Sequence, residues 1–173
     1  MTAAVTVDIA QPEEQPLLEG LMQFYFYDFS EMEPDGSDAM EFDARGQFGA
    51  YGYLPDYWRE EGRIPLLIRR GGRPVGFALL SQHSHLTGGH IERNMAEFFV
   101  ARKHRRHGVA SEAVRQILAL NPGRWEVAVM ARNAAAQAFW PRAIAAAPNV
   151  SDLVRREGDG AHWTGPIWCF LAS

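Results

Sequence analysis

The chain has a single cysteine, Cys169, among its 173 residues, so it cannot form an internal disulfide. It therefore differs from the small secreted proteins that depend on disulfides, and its stability requires no oxidising compartment. Because Cys169 lies between Trp168 and Phe170, we expect its thiol to be buried as a small apolar group.

Long apolar runs are also missing. No segment approaches the roughly 20 apolar residues that a membrane-spanning helix needs. The opening stretch, MTAAVTVDIAQPEEQ, lacks the basic region and apolar stretch of a secretion signal. These absences predict a cytoplasmic protein with no membrane partner.

Positive charge is not in excess, since the net charge is -4. Proteins that bind nucleic acid in bulk are usually strongly basic, so the chain as a whole does not favour that class. With 47% hydrophobic residues, the chain is long enough for one core and too short for several. We therefore expect one domain over residues 1–173, and the sequence leaves a homodimer open.

Hydrophobic periodicity is what the sequence does have, and it changes several times along the chain. The predicted strands are 5–9, 64–70, 74–83, 90–100, 124–130, 150–156 and 162–171. The predicted helices are 15–29, 110–118 and 133–140. Pro141 is expected to kink or end the last helix, because proline has no amide proton to donate to the Gln137 carbonyl. The turn signal Gly158-Asp159-Gly160 predicts a hairpin between the last two strands.

The middle of the chain reads as strand, helix, strand. Such a crossover implies one parallel strand pair inside an otherwise antiparallel sheet, with helices covering the sheet. The sequence therefore predicts a mixed α/β fold.

Local positive charge is concentrated in residues 102–106, which contain four Lys or Arg residues. This segment follows a strand that ends at Val100, and Gly108 then precedes a helix. Because the first amides of a helix lack partners and carry the positive end of its dipole, this arrangement suits a phosphate or pyrophosphate. The segment lacks the glycine spacings of a P-loop and of a dinucleotide-binding turn.

In this setting, Arg105-Arg106-His107-Gly108-Val109-Ala110 resembles the pyrophosphate loop Gln/Arg-x-x-Gly-x-Gly/Ala of the GNAT superfamily of N-acetyltransferases. The preceding AEFFV resembles the fourth strand of that family. NAAAQAFW (133–140) resembles its Asn-x-x-Ala-x-x-Phe-Tyr helix after the fifth strand. The resemblance is close over residues 90–145 and extends to the rest of the chain in element order only.

The resemblance implies a mostly antiparallel, twisted sheet whose parallel fourth and fifth strands splay apart, with flanking helices. It also implies acetyl-CoA as co-substrate, an amine as acceptor, and no metal. The backbone of Phe98, Phe99 and Val100 would pair with the pantetheine arm. Arg105, Arg106, His107, Gly108, Val109 and Ala110 would surround the pyrophosphate. Asn133, Phe139 and Trp140 would line the wall near the thioester.

Glu97 is the expected general base, because members of this family often carry an acidic residue on the fourth strand. A base is needed since an alkylammonium group with a pKa of about 10.4 is protonated at neutral pH. The apolar neighbours Phe98 and Phe99 favour a raised pKa for the Glu97 carboxyl. The alternative is that Glu97 faces solvent or pairs with an Arg.

The leaving thiolate raises a separate question, because Trp140 stands where many family members have a tyrosine, and an indole is not an acid here. Its proton would come from Tyr25, Tyr27 or Tyr57, or from water, or the thiolate would leave unassisted. The resemblance suggests a backbone amide near Phe99 or Val100 as the oxyanion donor.

The acceptor is left open. The acidic segment EMEPDGSDAMEFD (31–43) suits a cationic acceptor but is also typical of a solvated loop. His83, His85 and His90 lack the Cys or carboxylate partners of a recognisable metal site. Two other functions remain: an acyl-CoA sensor without turnover, and a nucleic-acid binder that uses residues 102–106. An acyl group other than acetyl is also open.

Overall fold

The structure, a computed structural model, describes residues 3–173, so the first two residues of the expected domain lie outside the described range. Its strands are β1 (Val5–Ile9), β2 (Ile64–Arg70), β3 (Arg73–His83), β4 (His90–Val100), β5 (Gly123–Ala128), β6 (Val150–Glu157) and β7 (Pro166–Ala172). Its α-helices are α1 (Gln15–Ser30), α2 (Val109–Leu120) and α3 (Ala134–Ala145). Short 3-10 helices occupy Pro12–Glu14, Leu54–Trp58 and Arg102–His104.

The seven strands form one sheet in the order β1-β2-β3-β4-β5-β7-β6. All neighbouring strands are antiparallel except β4 and β5, which are parallel because α2 connects them. The mixed α/β fold with one parallel pair, expected from the sequence, is confirmed.

Helices cover both faces of the sheet. On one face, α1 buries an apolar stripe made by Leu18, Met22, Tyr25 and Phe26, together with the Leu54–Trp58 helix. On the other face, α2 buries Val114, Ile117 and Leu118, and α3 packs beside it. Within the described residues, no helix is long and apolar enough to cross a membrane.

Three local predictions were wrong. Helix α3 does not end at Pro141 but continues to Ala145, because burial of Ala143 and Ile144 outweighs the one backbone hydrogen bond that proline removes. The last hairpin has a longer loop, since β7 begins at Pro166 rather than at residue 162. Cys169 is only half-buried.

Candidate active site

The parallel pair β4 and β5 is the feature that creates the site. The two strands pair only at Arg93 with Trp125 and at Asn94 with Glu126, and then they diverge. A cavity of about 700 Å³ opens beyond this point. It is lined by residues of β4 and β5, by one side of α1, by the segment 51–63 and by the start of α3.

A β-bulge in β4 sets the direction of the side chains that enter this cavity. Leu79 is opposite Glu97 and Leu80 is opposite Met95, so Ala96 is the extra residue. Past the bulge, the side chains alternate between the two faces of the sheet. Phe99 joins the core under α1, and Phe98 packs against α3 on the opposite face.

Glu97 lies on the α1 side of the sheet and accepts two hydrogen bonds from tyrosines. The Tyr25 hydroxyl of α1 donates to Glu97 Oε2, and the Tyr51 hydroxyl donates to Glu97 Oε1 at 3.0 Å. The Glu97 side chain therefore neither faces open solvent nor pairs with an arginine. Tyr51 was missed in the sequence, because its contact with Glu97 joins residues 46 positions apart.

Burial raises the pKa of the Glu97 carboxyl above its usual value, and the hydrogen bonds from Tyr25 and Tyr51 oppose that rise. Burial, followed by the Glu97 charge, also raises the pKa values of Tyr25 and Tyr51. Both phenols are therefore hydrogen-bond donors at neutral pH. The site holds a partly desolvated carboxylate whose two oxygens already have fixed donors.

A second polar group faces the cavity at the segment before β2. Arg63 lies with its guanidinium carbon 5.4 Å from the centre of the Tyr57 ring and 5.8 Å from that of Tyr53. Burial and the Glu97 charge raise the pKa of Tyr57 to about 12, although Arg63 lowers it. No sequence pattern singled out Arg63, which stands among ordinary turn residues.

The opposite wall of the cavity is apolar. The Phe98 ring lies 6.1 Å from Phe139 and 5.1 Å from Trp140, measured between centroids. Trp140 is buried and borders the cavity, whereas Phe139 stacks behind Phe98. Asn133 also borders the cavity and caps α3, since its side-chain oxygen accepts from the Ala136 amide at 3.0 Å.

The basic turn lies at the end of β4 and leads into α2. Arg106 and Gly108 have left-handed backbone conformations, with φ of 62° and 76°. The first backbone hydrogen bond of α2 is donated by the Glu112 amide to the Gly108 carbonyl. The amides of Val109 and Ala110 therefore begin the helix without intrahelical partners, and they lie at the positive end of its dipole.

Arg105 has a different environment from the rest of this turn. Its Nε donates to the Val100 carbonyl at 2.7 Å, and an Nη donates to Asp28 of α1. Arg102 also donates to Asp28, at 2.8 Å. Two of the basic side chains thus tie the turn to α1. The Arg105 side chain is therefore held in place by bonds within the protein.

The pKa of His104 in this turn is lowered from its usual value. Partial burial lowers its pKa, and the positive charges of Arg70, Lys103 and His107 lower it further. Burial is the larger cause of this shift, and the neighbouring Arg70 and Lys103 provide positive charge that favours an anionic ligand.

Other candidates from the sequence are placed less centrally. His83 and His85 border the cavity with ring centroids 5.1 Å apart, but His90 does not border it. No cluster of at least three His, Cys, Asp or Glu residues suited to a metal occurs in the range 3–173. Of the acidic segment 31–43, the cavity is bordered only by Met40, among the residues described. Tyr27 is exposed and packs against Arg102, outside the cavity.

A comparison with protein families matches residues 21–144 to the acetyltransferase (GNAT) family. The chain belongs to this family and is an enzyme of the N-acetyltransferase class. The resemblance inferred from residues 90–145 is thereby confirmed. A comparison with curated proteins gives no match.

Solved structures show the same fold at low sequence identity. An acetyltransferase from Thermus thermophilus is 16% identical over the whole of both chains, with a TM-score of 0.67. The PaiA N-acetyltransferase from Thermoplasma acidophilum, solved with coenzyme A, is 7% identical over 98% of this chain and 99% of its own, with a TM-score of 0.61. The spermidine N-acetyltransferase from Vibrio cholerae, solved with CoA and spermine, is 10% identical over 96% of this chain and 93% of its own, with a TM-score of 0.55.

Proposed function

We propose that the protein transfers an acetyl group from acetyl-CoA to an amine by direct attack in a ternary complex. The observation that supports this most strongly is the position of Glu97. Its carboxylate lies in the cavity where β4 and β5 diverge, it has a raised pKa, and two tyrosines fix both of its oxygens. A polar base in a partly desolvated cleft is the arrangement that amine acetylation requires.

The cofactor would enter between the diverging strands. Beyond Asn94, β4 no longer pairs with β5, so the backbone of Phe98, Phe99 and Val100 is the edge along which a pantetheine arm would bind. The loop amides from Arg106 to Ala110 would hold the pyrophosphate. The apolar wall formed by Phe98 and Trp140 would surround the thioester, with Asn133 at its border.

The reaction starts with removal of a proton from the ammonium form of the acceptor. Glu97 takes this proton, directly or through a water molecule, and its raised pKa makes it a better base than an exposed carboxylate. The neutral amine then attacks the thioester carbonyl, the nitrogen loses its second proton to solvent, and the tetrahedral intermediate collapses with cleavage of the C–S bond. A backbone amide near Phe99 or Val100 would donate to the resulting oxyanion.

The leaving thiolate requires no acid from the protein in this scheme. Trp140 is buried and its indole is not an acid. Tyr25 is bonded to Glu97, and Tyr27 lies outside the cavity. The raised pKa of Tyr57 makes it a weak acid. We therefore infer that solvent protonates the thiolate, whose pKa near that of a cysteine thiol, about 8.5, makes it an acceptable leaving group.

Calorimetric titration with acetyl-CoA tests the cofactor site. Gly108 has a φ of 76°, so any side chain there strains the backbone. The variants Gly108→Ala and Gly108→Glu share that strain, but only the second adds a negative charge beside the proposed pyrophosphate site. We expect micromolar binding by the wild type, weaker binding by Gly108→Ala and none by Gly108→Glu, with all three proteins folded by circular dichroism.

Failure of the wild type to bind acetyl-CoA would contradict the proposal. Competition by an oligonucleotide, with affinity that falls steeply with salt, would instead assign the basic turn to nucleic acid. Glu97→Gln separates an enzyme from an acyl-CoA sensor. In an enzyme, this variant binds acetyl-CoA like the wild type and loses amine-dependent release of CoA.

A further inference from the structure

The acceptor end of the cavity contains a fixed guanidinium whose role the reaction itself does not require. Arg63 borders the cavity with a side chain that is 25% exposed. Its Nε donates to Glu60 Oε2 at 2.5 Å, and its planar group lies near the rings of Tyr53 and Tyr57. These contacts restrict the side chain, and the only carboxylate they engage is bonded to Nε, so the two Nη groups are free of a carboxylate among the residues described.

A buried hydroxyl next to this guanidinium lacks a well-aligned hydrogen-bond partner. Tyr57 is 3% exposed and borders the cavity, and its hydroxyl lacks a well-aligned hydrogen bond, although Arg63 and Tyr51 lie close enough to lower its pKa. A buried polar group without a partner costs about 1–3 kcal/mol, so such groups are rare outside functional sites. Arg63 and Tyr57 together provide donors that a ligand can use.

The charges that border the cavity are few. Apart from two histidines, Glu97 and Arg63 are the ionic side chains among the described residues that line it. The acidic segment 31–43 contributes only Met40 there. An acceptor with several ammonium groups would meet one carboxylate and one repelling guanidinium. An acceptor with one ammonium and one carboxylate would match the two charges in sign.

The geometry of the guanidinium favours a carboxylate. The paired Nη groups of an arginine match the two oxygens of a carboxylate in a planar, bidentate arrangement. Aromatic side chains border the same cavity, among them Phe26, Tyr51 and Tyr53. An aromatic side chain attached to the carbon that carries both the amine and the carboxylate would fill this space.

From this arrangement we propose that the acceptor is an amino carboxylate: its amine reaches Glu97, its apolar body lies among the tyrosines, and its carboxylate binds Arg63 and the Tyr57 hydroxyl. This inference rests on the proposed acetyltransferase function and specifies its second substrate. It differs from a polyamine acceptor, which the charge of the cavity does not match.

A matched pair of amines tests the proposal. L-Phenylalanine and 2-phenylethylamine share an aromatic body and an amine, and only the first has a carboxylate. With acetyl-CoA fixed, we expect kcat/KM from CoA release to be at least tenfold higher for L-phenylalanine, and spermidine to be the poorest acceptor of the three. A charge-assisted hydrogen-bonded pair accounts for a preference of about tenfold or more.

Arg63→Met keeps an unbranched apolar stem and removes the guanidinium, and we expect it to lower the ratio of the two kcat/KM values at least tenfold. Arg59→Met is the matched control, because Arg59 is exposed and does not border the cavity. It should preserve the ratio. A ratio near one in the wild type, a preference for spermidine, or an unchanged ratio in Arg63→Met would each overturn the inference.

The failure of the two proposals can be separated by calorimetry. If acetyl-CoA binds but the protein with bound CoA does not bind L-phenylalanine, the substrate inference fails and the cofactor site stands. If acetyl-CoA does not bind, the proposed function fails. Titration of the free protein with L-phenylalanine, compared between wild type and Arg63→Met, then still decides whether Arg63 binds a carboxylate.

Discussion

Replacement of Tyr51 by phenylalanine tests the control of the Glu97 carboxyl. The Tyr51 hydroxyl donates to Glu97 Oε1 at 3.0 Å, while Tyr25 donates to the other oxygen. The variant Tyr51→Phe removes the first hydrogen bond and keeps the ring in place. Because that bond favours the charged form of Glu97, its loss should raise the pKa of the carboxyl further.

The size of this effect follows from the strength of one hydrogen bond. A bond to a charged group contributes about 1.5–3 kcal/mol, and a protonated Glu97 would keep part of it. A difference of about 1.4 kcal/mol between the two forms corresponds to about one pKa unit. We therefore expect the acid limb of the pH profile of kcat/KM to move up by about one unit in Tyr51→Phe.

The assay is release of CoA across the pH range, with L-phenylalanine as acceptor. The groups packed around the carboxyl are Tyr25 from α1, Tyr51 from its loop, and Tyr57, whose pKa is also affected by the Glu97 charge. Tyr53→Phe is the control, because Tyr53 borders the cavity and has no bond to Glu97. An acid limb that does not move in Tyr51→Phe, or that survives in Glu97→Gln, would refute the reasoning.

Two further predictions concern stability. Because the pKa of Glu97 is raised, the folded protein binds this proton more tightly than the unfolded chain does. Protonation of Glu97 therefore stabilises the fold fully below pH 4.5, the usual pKa of the carboxyl. This stabilisation is lost as the pH rises through the pKa of Glu97 in the folded protein. Thermal unfolding should therefore show a higher Tm for Glu97→Gln than for the wild type at pH 8, and similar values at pH 4; a lower Tm at pH 8 would contradict this. Asn133→Ala removes the cap of α3 and should cost about 1 kcal/mol in urea unfolding, whereas Asn133→Asp keeps a capping oxygen and should cost less. Equal losses in both variants would show that the cap is not what Asn133 contributes.

The sequence predicted those features that depend on neighbouring residues. The order of strands and helices followed from periodicity, and the turn before α2 followed from a basic run that ends in Gly108. Glu97 was selected as the expected general base because it lies on an apolar strand in a segment that resembles a known family. Each of these signals lies within a short segment and can be recognised without knowing which distant residues it contacts.

The features that were missed depend on contacts between distant parts of the chain. Tyr25 and Tyr51 reach Glu97 from 72 and 46 positions away, and no local pattern indicates which tyrosine makes such a contact. The contact between Arg105 and Asp28 was missed for the same reason, since the two residues are 77 positions apart. The end of α3 was predicted too early, at Pro141, because the local effect of proline was outweighed by burial of the residues that follow it.

Helix α1 connects the two halves of the site. Tyr25 and Asp28 are three residues apart and therefore lie on neighbouring parts of one helix face. Tyr25 bonds to the proposed base, and Asp28 bonds to Arg105 and Arg102 of the proposed pyrophosphate loop. Both contacts converge on β4, because Glu97 is within this strand and Arg105 also bonds to the carbonyl of its last residue, Val100. One helix turn thus fixes the distance between the proposed base and the proposed cofactor loop, which the proposed direct transfer between two bound substrates requires.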